Sequence, residues 1–239
     1  MKNGRTVLVL GGGVGGVVAA RELRRRLPDG DRVVLVDRRP HHLFESSLLW
    51  LLVGGRDPDD VRRPLSRLGD RGIELVTGEI TALDPEARQV TVDGQELHGD
   101  AVVISLGAEL ALDAVPGLAE AGHNLYDLEG SASFRDALRR FGGGRVAVVT
   151  AAPGYKCPAA PYEAAMLVDD HLRRAGIDAR VDMYAAEPGP MGTAGPEVSA
   201  AVREMVEGRG IGYHPEHRIQ AADLSSRTLR FENGHAADY

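Results

Sequence analysis

The 239-residue chain holds one cysteine, Cys157. A single thiol rules out an internal disulfide, and the Cys-x-x-Cys pairs of structural zinc sites are absent. No apolar stretch approaches the ~20 residues of a membrane-spanning helix; the longest notable run, "LLWLLV", covers only Leu48–Val53. Positive charge is in deficit, with 28 Lys and Arg against 35 Asp and Glu and a net charge of −7. That balance argues against a nucleic-acid partner, which needs a basic face. Eight histidines occur without HExxH or an i, i+4 pair beside acids, so no metal site is expected. GxSxG and the Walker lysine are also missing, which removes hydrolase and P-loop readings. No apolar leader precedes the first strand, so the expected location is cytoplasmic. With 43% hydrophobic and 26% charged residues, the composition is that of an ordinary globular protein.

Two βαβ patterns are present. Val7–Leu10 and Val33–Val36 are short all-apolar runs, as in parallel strands covered on both faces. Between them Val17, Ala20, Leu23 and Leu27 form a helical stripe that ends at "PDG". Gly11-x-Gly13-x-x-Gly16 joins the first strand to that helix, and Asp37 stands at the end of the second strand, 24 residues past Gly13. In a dinucleotide fold the first glycine makes the tight turn and the second lets backbone approach a pyrophosphate. The third packs helix on strand, the helix N-terminus faces the anion, and the acid binds a ribose hydroxyl. Arg38 and Arg39 are either phosphate partners or ordinary surface arginines.

The plan recurs. Val146–Thr150 reads as a strand, Pro161–Arg174 as a helix stopped at Gly176, and Val181–Tyr184 as the next strand. A tighter repeat links the stretch from Arg71 to that from Arg209. Each runs Arg-Gly-Ile, a strand, an Ile followed four residues later by Asp, then two strands around an Asp-Gly or Asn-Gly turn. The first copy continues into "AVVISLGAEL", expected to be a buried strand, whereas the second reaches Tyr239 where that strand would begin. The expected fold is therefore α/β, with two Rossmann-like domains, 1–112 and 113–239. Both carry parallel sheets and small antiparallel three-stranded elements, and the second domain lacks its closing strand. An open sheet edge of that kind invites pairing, so a homo-oligomer is an open possibility.

In the second copy "AAPGYKCPAAPYE" replaces the glycine loop, so a second dinucleotide's phosphates have no backbone cradle and NAD(P)H is not expected there. Cys157 lies just ahead of a helix with Lys156 beside it. A helix N-terminus contributes roughly 0.3–1 kcal/mol toward an anion. That is under one pKa unit at about 1.4 kcal/mol per unit, so strong activation needs a charged neighbour. Cys157 is thus either a redox thiol or a small buried packing residue. Glu163 is a proton acceptor or a complement to the helix dipole. His41, His42 and Phe44, ahead of the Leu48–Val53 run, are weaker candidates.

The order GGGVGG, a strand ending in Asp, "HLFESSLLWLLVGGRDPDDVRRPL", "GIELVTGEITALD", "GDAVVISLGAEL" and "YKCPAAPYEAAMLVDDHLRRAGI" resembles the two-dinucleotide-binding-domain flavoproteins. Within them it resembles the sulfide:quinone oxidoreductases and their sulfide-dehydrogenase relatives, over essentially the whole chain. The resemblance implies FAD as cofactor, a sulfide or thiol donor, a quinone-like acceptor, and at most peripheral membrane contact. It places Gly11, Gly13, Gly16 and Asp37 at the pyrophosphate and ribose, Ile80 at the adenine, and Gly107 and Ala108 at the turn of an Ala-Thr-Gly motif. Cys157 corresponds to a redox cysteine of that family. Two departures stand out: Leu106 replaces the motif's Thr, and Tyr126 and Asp127 stand where sulfide oxidases carry another cysteine. Beside the FAD-dependent oxidoreductase, the sequence leaves open a non-catalytic nucleotide-binding remnant and an NADH-dependent flavin reductase.

Overall fold

Strands β1 (Thr6–Leu10) and β2 (Arg32–Asp37) pair in parallel, from Thr6 opposite Arg32 to Leu10 opposite Val36. Their side chains alternate between two faces. Val9, Val33 and Leu35 enter one cluster, and Leu8, Leu10, Val34 and Val36 enter the other. Burial on both faces explains why each strand reads as an unbroken apolar run. Each fully buried Val or Leu contributes about 1.5–3 kcal/mol. These features come from a computed structural model that describes residues 4–239. The chain divides into two compact units, one formed by residues up to Phe44 with Pro58–Leu110, the other by Glu45–Asp57 with Ala111–Tyr239.

In the first unit, α1 (Val14–Arg26) crosses from β1 to β2. The antiparallel pair β3 (His41–Leu43) and β4 (Arg62–Pro64) follows, then β5 (Glu74–Thr77), β6 (Ile80–Asp84), β7 (Gln89–Val92), β8 (Gln95–His98) and β9 (Ala101–Ile104). The parallel sheet has the order β5-β2-β1-β9. Ala20 of α1 and Leu65 and Leu68 of a 3₁₀ turn cover one face. Val90 and Val92 of the antiparallel sheet β6-β7-β8 cover the other. Contrary to the sequence expectation, β9 is not buried. It ends the strand order, with β1 on one side only, and Ile104 is 61% exposed.

The second unit repeats this layering. Its parallel sheet is β10 (Gly144–Val149), β11 (Ala179–Tyr184) and β12 (Gly212–His214). The helices are α2 (Leu48–Leu52), α3 (Leu118–Ala121), α4 (Leu128–Arg140), α5 (Ala160–Arg174) and α6 (Pro196–Glu207). Val181 and Met183 pack with Ala164, Val168 and Leu172 of α5, Val202 and Val206 of α6, and Leu49 and Leu52 of α2. Four leucines of the apolar run Leu48–Val53 are therefore buried, with Leu49 and Leu52 in the core of this unit, while Trp50 is 53% exposed. On the opposite face Tyr184 joins Ile219, Leu229 and Phe231 of the antiparallel sheet β13 (Ile219–Asp223), β14 (Thr228–Phe231) and β15 (Ala236–Asp238). Gly176, at φ +67°, follows the last turn of α5 as the helix stop expected there.

The repeat extends to fine detail. Both antiparallel sheets carry a register shift at the same point, between Ile80 and Ala82 and between Ile219 and Ala221. Asp84 accepts backbone N–H groups from Glu86 and Ala87, and Asp223 does so from Ser225 and Ser226. Arg88 and Arg227 both adopt positive φ, 53° and 51°. Among the described residues, no helix is long and apolar enough to cross a membrane.

Candidate functional site

The carboxyl ends of parallel strands leave a crevice where a ligand can meet helix N-termini. In the first unit β1 delivers Gly11 to that edge, β2 delivers Asp37, and β9 delivers Ser105 and Gly107. Gly11 sits at φ +101°, and a Cβ there would stand 2.2 Å from the Ser105 carbonyl oxygen. A Cβ on Gly16 would come within 1.7 Å of the Gly11 carbonyl oxygen, so α1 packs on the turn only because that residue is glycine. Gly13 differs: a Cβ added there meets nothing within 4 Å. Of the three motif glycines, this one faces open space rather than its own fold.

Gly13 is also the N-cap of α1 and makes no side-chain cap bond. A helix start leaves its first N–H groups without intrahelical partners, and they favour an anion. The Gly12 N–H donates to Asp37 Oδ2 at 2.5 Å, and the Arg39 N–H donates to Oδ1 at 2.7 Å. These bonds fix the carboxylate beside the loop while leaving further oxygen lone pairs for a hydroxyl. His42 Nδ1–H donates to the Gly12 carbonyl at 2.9 Å, holding the turn from its other side. Gly-rich turn, open Gly13 and anchored acid together fit the pyrophosphate and ribose of a dinucleotide.

The remaining sequence-predicted residues are less engaged. Arg38 is exposed, with its guanidinium 3.7 Å from Glu79. Ile80 is half-buried at the start of β6 and packs on the core beneath the sheet. Gly107 holds φ +74° in an exposed turn with Leu106 and Ala108. His41 lies in β3, and Phe44 is exposed.

In the second unit β10 leads through loop 151–159 into α5. Cys157 is exposed, which removes the reading of it as a buried packing residue. It also adopts φ +56°. For a non-glycine residue the left-handed region costs about 1–2 kcal/mol, and strain of this kind gathers at functional positions. Lys156 is turned to other partners: its Nζ lies 2.8 Å from Glu45 Oε2 and 5.9 Å from the centre of the Tyr126 ring. Glu163 is exposed in the first turn of α5. The Tyr126 hydroxyl is buried and has no hydrogen-bond partner among the described residues. Burial foremost, then the neighbouring Cys157 and Glu187, push that phenol above its usual range.

Sequence reasoning missed the carboxylate at the centre of this region. Glu187, past the end of β11, accepts hydrogen bonds from Thr150 Oγ1 at 3.0 Å, from Tyr162 at 2.9 Å and from the Tyr155 hydroxyl. The available signal was its position: an acid just after the second strand of the second repeat, as Asp37 ends the second strand of the first.

Known proteins resemble this chain over most of its length. The profile of the pyridine nucleotide-disulphide oxidoreductases matches residues 5–238. The chain is 29% identical, over an alignment of 241 residues, to the mitochondrial sulfide:quinone oxidoreductase of Dictyostelium discoideum, covering 97% of this chain and 53% of that protein. It is 31% identical over 180 residues to the sulfide-quinone reductase of Aquifex aeolicus, covering 74% of this chain and 41% of that protein. An NADH dehydrogenase-like protein of Mycobacterium tuberculosis is 32% identical over 151 residues, 58% of this chain and 35% of that protein. The crystal structure of the Aquifex aeolicus sulfide:quinone oxidoreductase superposes with a TM-score of 0.86 at 26% identity, covering 98% of this chain and 56% of that one. The chain thus spans about half, or less, of the length of these relatives.

Proposed function

The chain belongs to the pyridine nucleotide-disulphide oxidoreductase family, and from that premise we propose that it is an FAD-dependent oxidoreductase of the sulfide:quinone type. Electrons pass from sulfide or a related thiol donor to FAD, and on to a quinone-like acceptor. The observation that carries the reading is the open space over Gly13 at the start of α1, beside the anchored carboxylate of Asp37. Relatives named for sulfide and quinone support the donor and acceptor classes.

Bound FAD supplies reversible two-electron chemistry, and the protein supplies binding and orientation. The Gly11–Gly16 turn and the first N–H groups of α1 hold the pyrophosphate. Asp37 accepts a hydrogen bond from a ribose hydroxyl, Arg38 adds positive charge, the Ile80 backbone meets the adenine, and Gly107 and Ala108 complete the cradle. Cys157 is the substrate-side thiol, and Glu163 accepts its proton. The loop between β10 and α5 carries Tyr155, with Tyr162 and Glu187 beside it, in place of a glycine fingerprint, and in this reading it binds no NAD(P)H.

The test is a visible spectrum of the purified chain passed through gel filtration with FAD, followed by anaerobic sulfide. Flavin bleaching in the wild type, and its loss in Cys157→Ser with flavin still bound, is the expected result. Equal bleaching in both proteins contradicts the role of Cys157. A second reading, an NADH-dependent flavin reductase, draws on the NADH dehydrogenase-like relative. It requires bleaching by NADH, which the sulfide reading does not expect.

A further inference from the structure

We propose that Glu187 is the positioning residue of the Cys157 loop, its single carboxylate tying together the strand before the loop, the loop itself and the helix after it. The inference rests on the reading of Cys157 as the reactive thiol. Glu187 Oε2 accepts from Thr150, the residue that follows β10. Oε1 accepts from the Tyr155 hydroxyl, two residues before Cys157, and from the Tyr162 hydroxyl in the first turn of α5. Both ends of the tether are themselves fixed. The Ala186 N–H donates to Thr150 Oγ1 at 2.9 Å, and the Glu216 N–H donates to the Glu187 carbonyl at 3.1 Å. Tyr162 is buried in the core of the second unit, so the helix-side anchor is packed in place. Burial foremost pushes the Tyr155 and Tyr162 phenols upward, so both remain donors.

The loop needs such a restraint. Most of residues 151–159 are exposed, and Cys157 holds a left-handed conformation that a non-glycine keeps only when its surroundings impose it. The Lys156–Glu45 ion pair is close to half exposed on each side, and exposed pairs are weak restraints. The two repeats make the contrast plain. Gly11 N–H donates to Val36 O, and Thr150 N–H donates to Tyr184 O, so Thr150 is the topological counterpart of Gly11. In the first repeat the acid that ends the second strand grips its loop through backbone, at Gly12 N–H. In the second the loop lacks the Gly-x-Gly-x-x-Gly pattern, and Glu187 grips it through side-chain hydroxyls.

The chain's lysines are Lys2 and Lys156 alone, so a lysine-specific endoproteinase reads the loop at one bond, next to Cys157. The single cysteine likewise makes iodoacetamide alkylation a reading of Cys157 alone. Neither readout needs bound flavin. Glu187→Ala is expected to speed native cleavage after Lys156 by tenfold or more and to move the alkylation rate toward that of the urea-unfolded chain. Glu187→Gln, which keeps a carbonyl acceptor for the tyrosines, is expected to stay within threefold of wild type in both. Tyr155→Phe removes only the link to the loop, and several-fold faster cleavage is expected; it carries the test if Glu187→Ala does not fold. Wild-type cleavage in Tyr155→Phe and Glu187→Ala, or a Glu187→Gln as fast as Glu187→Ala, overturns the tether. Wild-type Cys157 alkylating alike in the native and unfolded chain, with the cleavage results as expected, overturns the thiol reading instead.

Discussion

Gly13 and Gly16 belong to one motif yet serve different masters, and substitution separates them. A methyl on Gly16 collides with the Gly11 carbonyl oxygen, so Gly16→Ala forces turn and helix apart. Its expected cost is about 2–3 kcal/mol of stability, at the upper end of ordinary single-site effects, visible as a lower Tm without any ligand. A methyl on Gly13 meets no protein atom, and a glycine N-cap replaced by alanine loses no more than about 1 kcal/mol. The glycines and Asp37 were legible in the sequence because spacing alone specifies their backbone work. Glu187 was not, since nothing in local spacing shows that three hydroxyls from β10's end, the loop and α5 converge on it. Cys157 was located, but its exposure and positive φ depend on a fold that sequence does not display.

Among the elements, the β3 strand has a duty that its three residues do not advertise. His42 clasps the Gly12 carbonyl, so the β3–β4 pair steadies the glycine turn from outside the motif. Removing the donor in His42→Ala is expected to cost about 1 kcal/mol, the usual worth of such a bond, and to weaken FAD binding several-fold in a fluorescence titration. An unchanged affinity would make the clasp incidental. Strands β1 and β2 and helix α5 were readable from periodicity, as their apolar faces are dictated by burial. The β9 strand misled because its apolar composition matches a buried strand, while its position at the end of the sheet order leaves Ile104 exposed. Composition records what a strand is suited to pack against; topology decides whether the partner is there. The Leu48–Val53 run shows the same limit: its apolarity was plain, but its membership in the second unit's core was not.

At the scale of the whole molecule, the duplication was visible in the sequence and is matched in the fold down to paired bulges and paired Asp-capped turns. Three carboxylates make the fold sensitive to acid. Hydrogen bonds from Ser225 and Ser226 hold the Asp223 carboxyl down to about 2, and Arg5 and Arg32 hold Asp31 and Glu74 below the usual carboxylate range. Carboxylates depressed by folding stabilise above their unfolded pKa and lose that stabilisation as pH falls through the folded value. Tm is therefore expected to be flat above about pH 5 and to fall between about pH 4 and 2. Asp223→Asn, which cannot titrate, should show a shallower decline over that window in calorimetry. A parallel decline would mean that the turn contributes nothing to acid sensitivity.

The measurement that tests the central claim most directly is a fluorescence titration of FAD against the wild-type chain and Gly13→Ala, with the Tm of both recorded first. Saturable binding by wild type, weakened at least tenfold in a Gly13→Ala variant that melts almost normally, is the predicted result. It would locate the flavin pyrophosphate at the start of α1, in the space that Gly13 keeps open. Equal binding by the two proteins, or none by either while both are folded, would contradict the assignment of the first unit as the FAD site.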